Sequence, residues 1–222
     1  VGAESTCPGA IPLSAEAEWM RLKPFLEQLA NLKKNQKLFP LISLDTYHPK
    51  NARKALPYGI DIINDVSGLS NPEMLSVLKD SNVDYVLSHS LDIPTNPNNN
   101  IDGDPVEYLK LWLESKWEIL DRNKISGERI IFDPGIGFGK SSLQSQEIIK
   151  NMSMFRELPF RILVGHSRKS FFSTFTPAPP RERDIETIGT SLALLEQGVD
   201  ILRVHDVKNH KKALKGWLHA RS

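Results

Sequence analysis

Short apolar runs alternate with amphipathic stretches along the whole chain. "LISLDT" (41–46), "GIDIIND" (59–65), "VDYVLSH" (83–89), "RIIFDP" (129–134), "RILVGHS" (161–167) and "VDILRVH" (199–205) are apolar and mostly β-branched. Such runs suit strands buried on both faces of a parallel sheet. Stretches of helical character lie between them, at about 14–31, 49–57, 71–81, 104–123, 143–155, 184–197 and 207–219. Ser14 stands as an N-cap ahead of Glu16 and Glu18, and Asn71 does so ahead of Pro72. Leu109, Leu113, Trp117 and Leu120 make one apolar stripe, the signature of core packing. The opening "VG" reads as the tail of a further strand, so that seven strands are each followed by a helix.

This alternation specifies a parallel α/β fold, either an open doubly wound sheet or a closed eightfold barrel. The polar residues separate the two. Asp45, Asn64, His89, Asp133, Arg168 with Lys169, and Arg203 with His205 each fall at or just beyond a strand end. An open sheet gathers ligand groups at one switch point; a barrel collects them on one face from many strands. The sequence therefore predicts a (β/α)8 TIM barrel formed by residues 1–222 as one domain, lacking its first β/α unit, which is expected ahead of Val1. The stretches 90–105 and 176–183, rich in Asn, Pro and Gly or in Pro and Arg, are expected to be a mobile loop and a flexible connection.

Charge narrows the partners. A formal net charge of +1 argues against a general nucleic-acid surface. No apolar run reaches the length of a membrane span. The single cysteine, Cys7, excludes an internal disulfide and fits a reducing compartment, so a cytoplasmic location is expected.

"IIFDPGIGFGKSS" (130–142) approaches a phosphate-binding loop without being one. Gly139-Lys140-Ser141 supplies the end of that motif, but Pro134 stands where its first glycine belongs and has no N–H to offer a phosphate. Asp133 at the strand end would also repel one. Gathered at one mouth, Asp45, Asn64 and Asp133 offer acceptors and an amide to a nitrogen heterocycle, while Lys169, Arg203 and His205 suit a phosphorylated substituent. Each residue also has a plainer reading. Asp45 could cap the following helix, Asn64 and Asp65 could serve a turn, and His89 and His166 could be packing residues. Neither a metal-ligand spacing nor a G-x-S-x-G elbow is present.

"GAESTCPGA", "SLDTYHP", "IINDVSG", "FDPGIGFGKS", "VGHSRKSF" and "RVHDV" together resemble, in this order, the dihydropteroate synthase family of folate biosynthesis, which sulfonamides target. The resemblance spans essentially the whole chain. It implies a transferase joining p-aminobenzoate to 6-hydroxymethyl-7,8-dihydropterin diphosphate, with release of diphosphate and formation of 7,8-dihydropteroate. It implies that Asp45, Asn64, Asp133 and Lys169 hold the pterin and that Arg203 and His205 hold the diphosphate. Thr6, Pro8, Phe138 and Ser170 would border the p-aminobenzoate site. Asp45, Asp133, Lys169 and Arg203 would carry catalysis, with Mg²⁺ assisting the leaving group and its Asn ligand lying ahead of Val1. Two small-molecule substrates are the expected partners, and a homodimer is left open. The chain has Cys7 where the family has Arg, and "SHS" (88–90) where the family has two large thioethers. A non-catalytic pterin-binding paralogue and a pterin-dependent methyltransferase on a similar barrel are the alternatives.

Overall fold

The computed structural model describes residues 1–6, 9–96 and 98–221. Its order is strict: α1 Ala15–Lys34, β1 Ser43–Asp45, α2 Pro49–Ala55, β2 Ile62–Asp65, α3 Glu73–Lys79, β3 Asp84–Ser88, α4 Pro105–Arg122, β4 Ile130–Asp133, α5 Ser142–Lys150, β5 Arg161–Val164, α6 Asp184–Glu196, β6 Ile201–Leu202 and α7 Val207–His219. The six strands form one curled parallel sheet in the order β1-β2-β3-β4-β5-β6. Neighbours in space are neighbours in sequence, so the sheet has no point at which the order reverses. That removes the doubly wound alternative. The "VG" stub lies parallel to β1 as an isolated bridge, Gly2 to Asp45, with the Val1 carbonyl accepting from the Asp45 N–H and the Val1 ammonium donating to the Ser43 carbonyl.

Local signals placed the helices well. Ser14 Oγ accepts from the Ala17 N–H, as expected of an N-cap. Asp104 caps α4 with Pro105 behind it, and Ser141 and Gln144 form a capping box on α5. Several boundaries differ from the sequence expectation by a few residues. Asn71 accepts from the Glu73 N–H, but α3 begins only at Glu73. The helix expected over 143–155 ends at Lys150 and gives way to a 3₁₀ turn over Met152–Glu157.

Strand register decides what faces inward. Asp45 pairs with Asn64, Asn64 with Val86, Val86 with Ile131, and Ser88 with Asp133. Side chains alternate along a strand, so one face of the sheet carries Ile62, Val86, Ile131, Leu163 and Ile201, a small apolar cluster of its own. Two residues further along the same rows stand Asn64, Ser88, Asp133 and Arg203. At the opposite end of these rows Arg161 pairs with Asp84 at 2.8 Å. The other face carries Leu44, Ile63, Tyr85, Leu87, Ile130, Phe132, Ile162 and Val164, packed into the main core with the helices. No helix among the described residues is long and apolar enough to cross a membrane.

Candidate active site

The inward rows end in a cavity of about 360 Å³. Of the predicted site residues, Thr6, Asp45, Asn64, Asp133, Phe138 and Arg203 line it. A larger hollow of about 620 Å³ lies elsewhere, between the C-terminal half of α1 and the Pro57–Gly59 turn. It holds none of the predicted residues and is more open.

Asp45 does not cap α2, whose N-cap is His48. Its Oδ1 accepts from Asn64 Nδ2 at 2.8 Å and its Oδ2 accepts from Arg203 Nη2 at 2.7 Å. Asn64 is therefore a member of the site. Its neighbour Asp65 takes the plainer role: it points to the other face and accepts from the Ser67 N–H and hydroxyl, the Leu69 N–H and the Tyr85 hydroxyl. One residue of register separates the two fates.

Register also corrects the third strand end. His89 is not at the mouth; its ring is buried in the helix layer, edge-on to Tyr108 and Trp112. Ser88 takes the place at the cavity. Burial holds the His89 imidazole far below the usual histidine range, with Lys140 adding to the effect. His166 is likewise a packing residue, bonded to Ser191 Oγ at 2.9 Å and pushed down to about 4 by burial.

Asp133 is only 8% exposed. Its Oδ1 accepts from the Gly135 N–H at 2.8 Å. Burial pushes its carboxyl upward, opposed by the Gly135 bond and by the charges of Lys169, Arg203 and Lys140. The glycine-rich turn after it has a steric reason. Gly135 sits at φ +65°, and a Cβ there would lie 1.9 Å from the His89 carbonyl oxygen. The turn is glycine-rich because backbone passes against backbone and not because a nucleotide binds.

Lys169 stands beside the cavity, against Phe138, and His205 is not among the residues that line it. Lys169 Nζ lies 4.1 Å from the centre of the Phe138 ring, and its carbonyl accepts from Arg183 Nη1 at 2.8 Å. Arg183 also donates to the Ala178 carbonyl, so a buried guanidinium anchors the C-terminal end of the 176–183 connection, whose prolines stay exposed. His205 Nδ1 is 2.8 Å from Ser167 Oγ, and burial followed by Arg168 lowers its imidazole. Arg168 itself is occupied by Asp184, through two contacts of 2.8 Å. Ser170 opens the 3₁₀ turn Ser170–Thr174, is exposed, and is not part of the cavity wall. Pro8 and Cys7 lie outside the described residues.

Sequence reasoning missed part of the wall: Glu4, Ser5, Glu18, Thr46, Tyr47 and Val66. Glu18 looks like an ordinary first-turn acid, yet it is 1% exposed and its Oε2 accepts from Thr46 Oγ1 and Asn51 Nδ2, each at 2.7 Å. Glu4 Oε1 accepts from the Tyr47 hydroxyl at 2.6 Å and the Leu13 N–H at 2.9 Å. The long 90–105 loop docks here too, with Thr95 donating through its N–H and hydroxyl to the Thr6 carbonyl.

Comparison with known families decides what this cavity belongs to. A family model described as "Pterin binding enzyme" matches residues 1–205. The chain belongs to the pterin-binding enzyme family. It is 40% identical over 205 residues to a folate synthesis bifunctional protein of Chlamydia caviae, over 91% of this chain and 46% of that protein. It is 35% identical over 211 residues to a dihydropteroate synthase of Synechocystis, over 94% of this chain and 71% of that enzyme. The chain thus spans about half the length of the bifunctional relative. A crystal structure of dihydropteroate synthase from Anaplasma phagocytophilum, with bound 6-hydroxymethylpterin-monophosphate, superposes with a TM-score of 0.89 at 40% identity. It covers 97% of this chain and 85% of that one.

Proposed function

We propose that this pterin-binding enzyme is a dihydropteroate synthase, a transferase that condenses 6-hydroxymethyl-7,8-dihydropterin diphosphate with p-aminobenzoate. The observation that carries the reading is the division of one cavity. Asp45, Asn64 and Asp133 give it a wall of acceptors with one amide, and Arg203 lies within the same wall with Lys169 beside it. A pterin presents N–H and amino groups to the first set, and its diphosphate presents anionic oxygens to the second. The relatives named dihydropteroate synthase and the bound pterin monophosphate of the Anaplasma enzyme support this assignment.

The chemistry follows from charge. As the bond between the pterin methylene and the diphosphate oxygen breaks, its electron pair leaves with the diphosphate and positive charge develops on the pterin. Asp133 and Asp45 are placed to stabilise that cation, and Arg203 with Lys169 to stabilise the anion. The amino nitrogen of p-aminobenzoate then forms the new C–N bond and gives up a proton. Arg203 commits one N–H to Asp45, which leaves the rest of its fork for phosphate oxygens. Thr6 and Phe138, which line the cavity, belong on the p-aminobenzoate side in this reading. Mg²⁺ enters as a companion of the diphosphate. No three His, Cys, Asp or Glu side chains gather to hold a metal among the described residues. When bound it would neutralise leaving-group charge.

In the same reading the curled sheet is part of a closed (β/α)8 barrel formed as one domain, supported by the sequential strand order and the inward rows. A cytoplasmic location is supported by the single cysteine.

Arg203→Ala tests the division of the cavity. It should weaken binding of the dihydropterin diphosphate about tenfold to a hundredfold, from the loss of a charge-assisted contact. It should leave the unphosphorylated hydroxymethylpterin within about twofold, because Asp45 keeps Asn64 as a partner. Equal losses for both ligands in calorimetric titration would make Arg203 a structural partner of Asp45 and remove the anion side of the site.

A further inference from the structure

The Gly139-Lys140-Ser141 segment ends the motif that resembles a phosphate-binding loop, and the function proposed above leaves Lys140 without a role. In a phosphate-binding loop this lysine reaches out to the ligand. Here it turns inward and is 7% exposed. Lys140 Nζ donates to the Phe138 carbonyl at 2.9 Å and lies 2.8 Å from His89 Nδ1. A Cβ on Gly135 would stand 3.5 Å from the same nitrogen. The ammonium thus sits under the turn whose first N–H holds Asp133. It binds the carbonyl of Phe138, the ring of which lines the cavity and lies beneath Lys169.

Such a charge is expensive to bury, and the rest of the fold explains it only in part. His89, buried and neutral, gives it an acceptor, and the Phe138 carbonyl gives it another. The remaining opposite charge close by is Asp133, which also feels Lys169 and Arg203 from the other side. We propose that Lys140 is a positioning residue for the pterin site: it ties the glycine turn to His89 from beneath and, together with Lys169 and Arg203, adds positive charge that favours the Asp133 carboxylate. This rests on the pterin reading of Asp133. Supporting it, burial lowers Lys140 to about 7, with Asp133 acting against that shift and Lys169 adding to it. The ammonium is therefore present below about pH 7 and is lost as pH rises through that value.

The test reads pH dependence. Calorimetric titration of 6-hydroxymethylpterin is run from pH 5 to 8.5 on the unaltered protein, Lys140→Met and Lys140→Gln. Lys140→Gln removes the charge and keeps a donor near the Phe138 carbonyl. In both variants the acidic limb, along which pterin affinity falls with falling pH, should move upward by about one unit, as loss of a nearby opposite charge requires. The carboxyl carbon of Asp133, followed by NMR in unaltered protein without ligand, should show an inflection near pH 7 as Lys140 loses its proton. That measurement survives a failure of either variant to fold. Affinity that follows the same pH curve in folded Lys140→Met, or an Asp133 signal flat through pH 7, overturns the proposal. Failure of the unaltered protein to bind pterin at any pH would instead overturn the pterin reading.

Discussion

Asp133→Asn is expected to cost about tenfold to a hundredfold in affinity for the dihydropterin substrate. Asp133 holds the Gly135 N–H with Oδ1, and its side chain closes the inward row at the cavity wall. An asparagine can keep its carbonyl on the Gly135 N–H. The new amide nitrogen then faces the N–H groups of the pterin, so a donor meets donors. A hydrogen bond to a charged group contributes about 1.5–3 kcal/mol, and each 1.4 kcal/mol is about tenfold. The fold should be little affected, because the bond that holds the turn survives. Calorimetry on a variant with an unchanged melting temperature would isolate the effect. Unchanged affinity would remove Asp133 from the site.

Gly135→Ala is expected to be the most damaging single methyl group in this region. At φ +65° an alanine is strained, and its Cβ would lie 1.9 Å from the His89 oxygen, a backbone atom that cannot swing aside. The left-handed conformation costs about 1–2 kcal/mol, and forced displacement in a packed interior adds about 1–3 kcal/mol. At about 2–4 °C per kcal/mol for a domain of this size, the melting temperature should fall by roughly 10 °C. Gly137→Ala supplies the control. It has the same sign of φ, at +77°, but its nearest neighbour is the flexible Lys169 Cδ at 3.6 Å. It should lose only the conformational part. Equal shifts for the two variants would show that the turn moves away from His89 easily and that the close approach is not what demands glycine.

Much of this is legible in the sequence. Strand runs and caps gave the element order, and polar strand ends pointed to one face. The errors fall where one residue of register or a long-range contact decides. His89 and Ser88 are adjacent, and nothing local says which of them turns toward the mouth; pairing of Ser88 with Asp133 settles it. Asn64 and Asp65 pose the same problem and resolve in opposite directions. Glu18 has the position of a helix-dipole acid, and only its contacts with Thr46 and Asn51 on another element reveal a buried carboxyl. Lys140 carried a motif signal, but the motif spoke of phosphate, and its burial against His89 is invisible in the local sequence. Thr6, by contrast, was reached only through resemblance, since a threonine in a loop has no periodicity to betray it.

In the proposed function one cavity both recognises a pterin and releases its diphosphate. Protein containing this chain, supplied with 6-hydroxymethyl-7,8-dihydropterin diphosphate, p-aminobenzoate and Mg²⁺, tests it in one assay. Dihydropteroate and diphosphate should appear in equal amounts, and both should fall together in Asp133→Asn and Arg203→Ala. Tight binding of the pterin without diphosphate release would contradict it and leave a pterin-binding protein that does not perform the transfer.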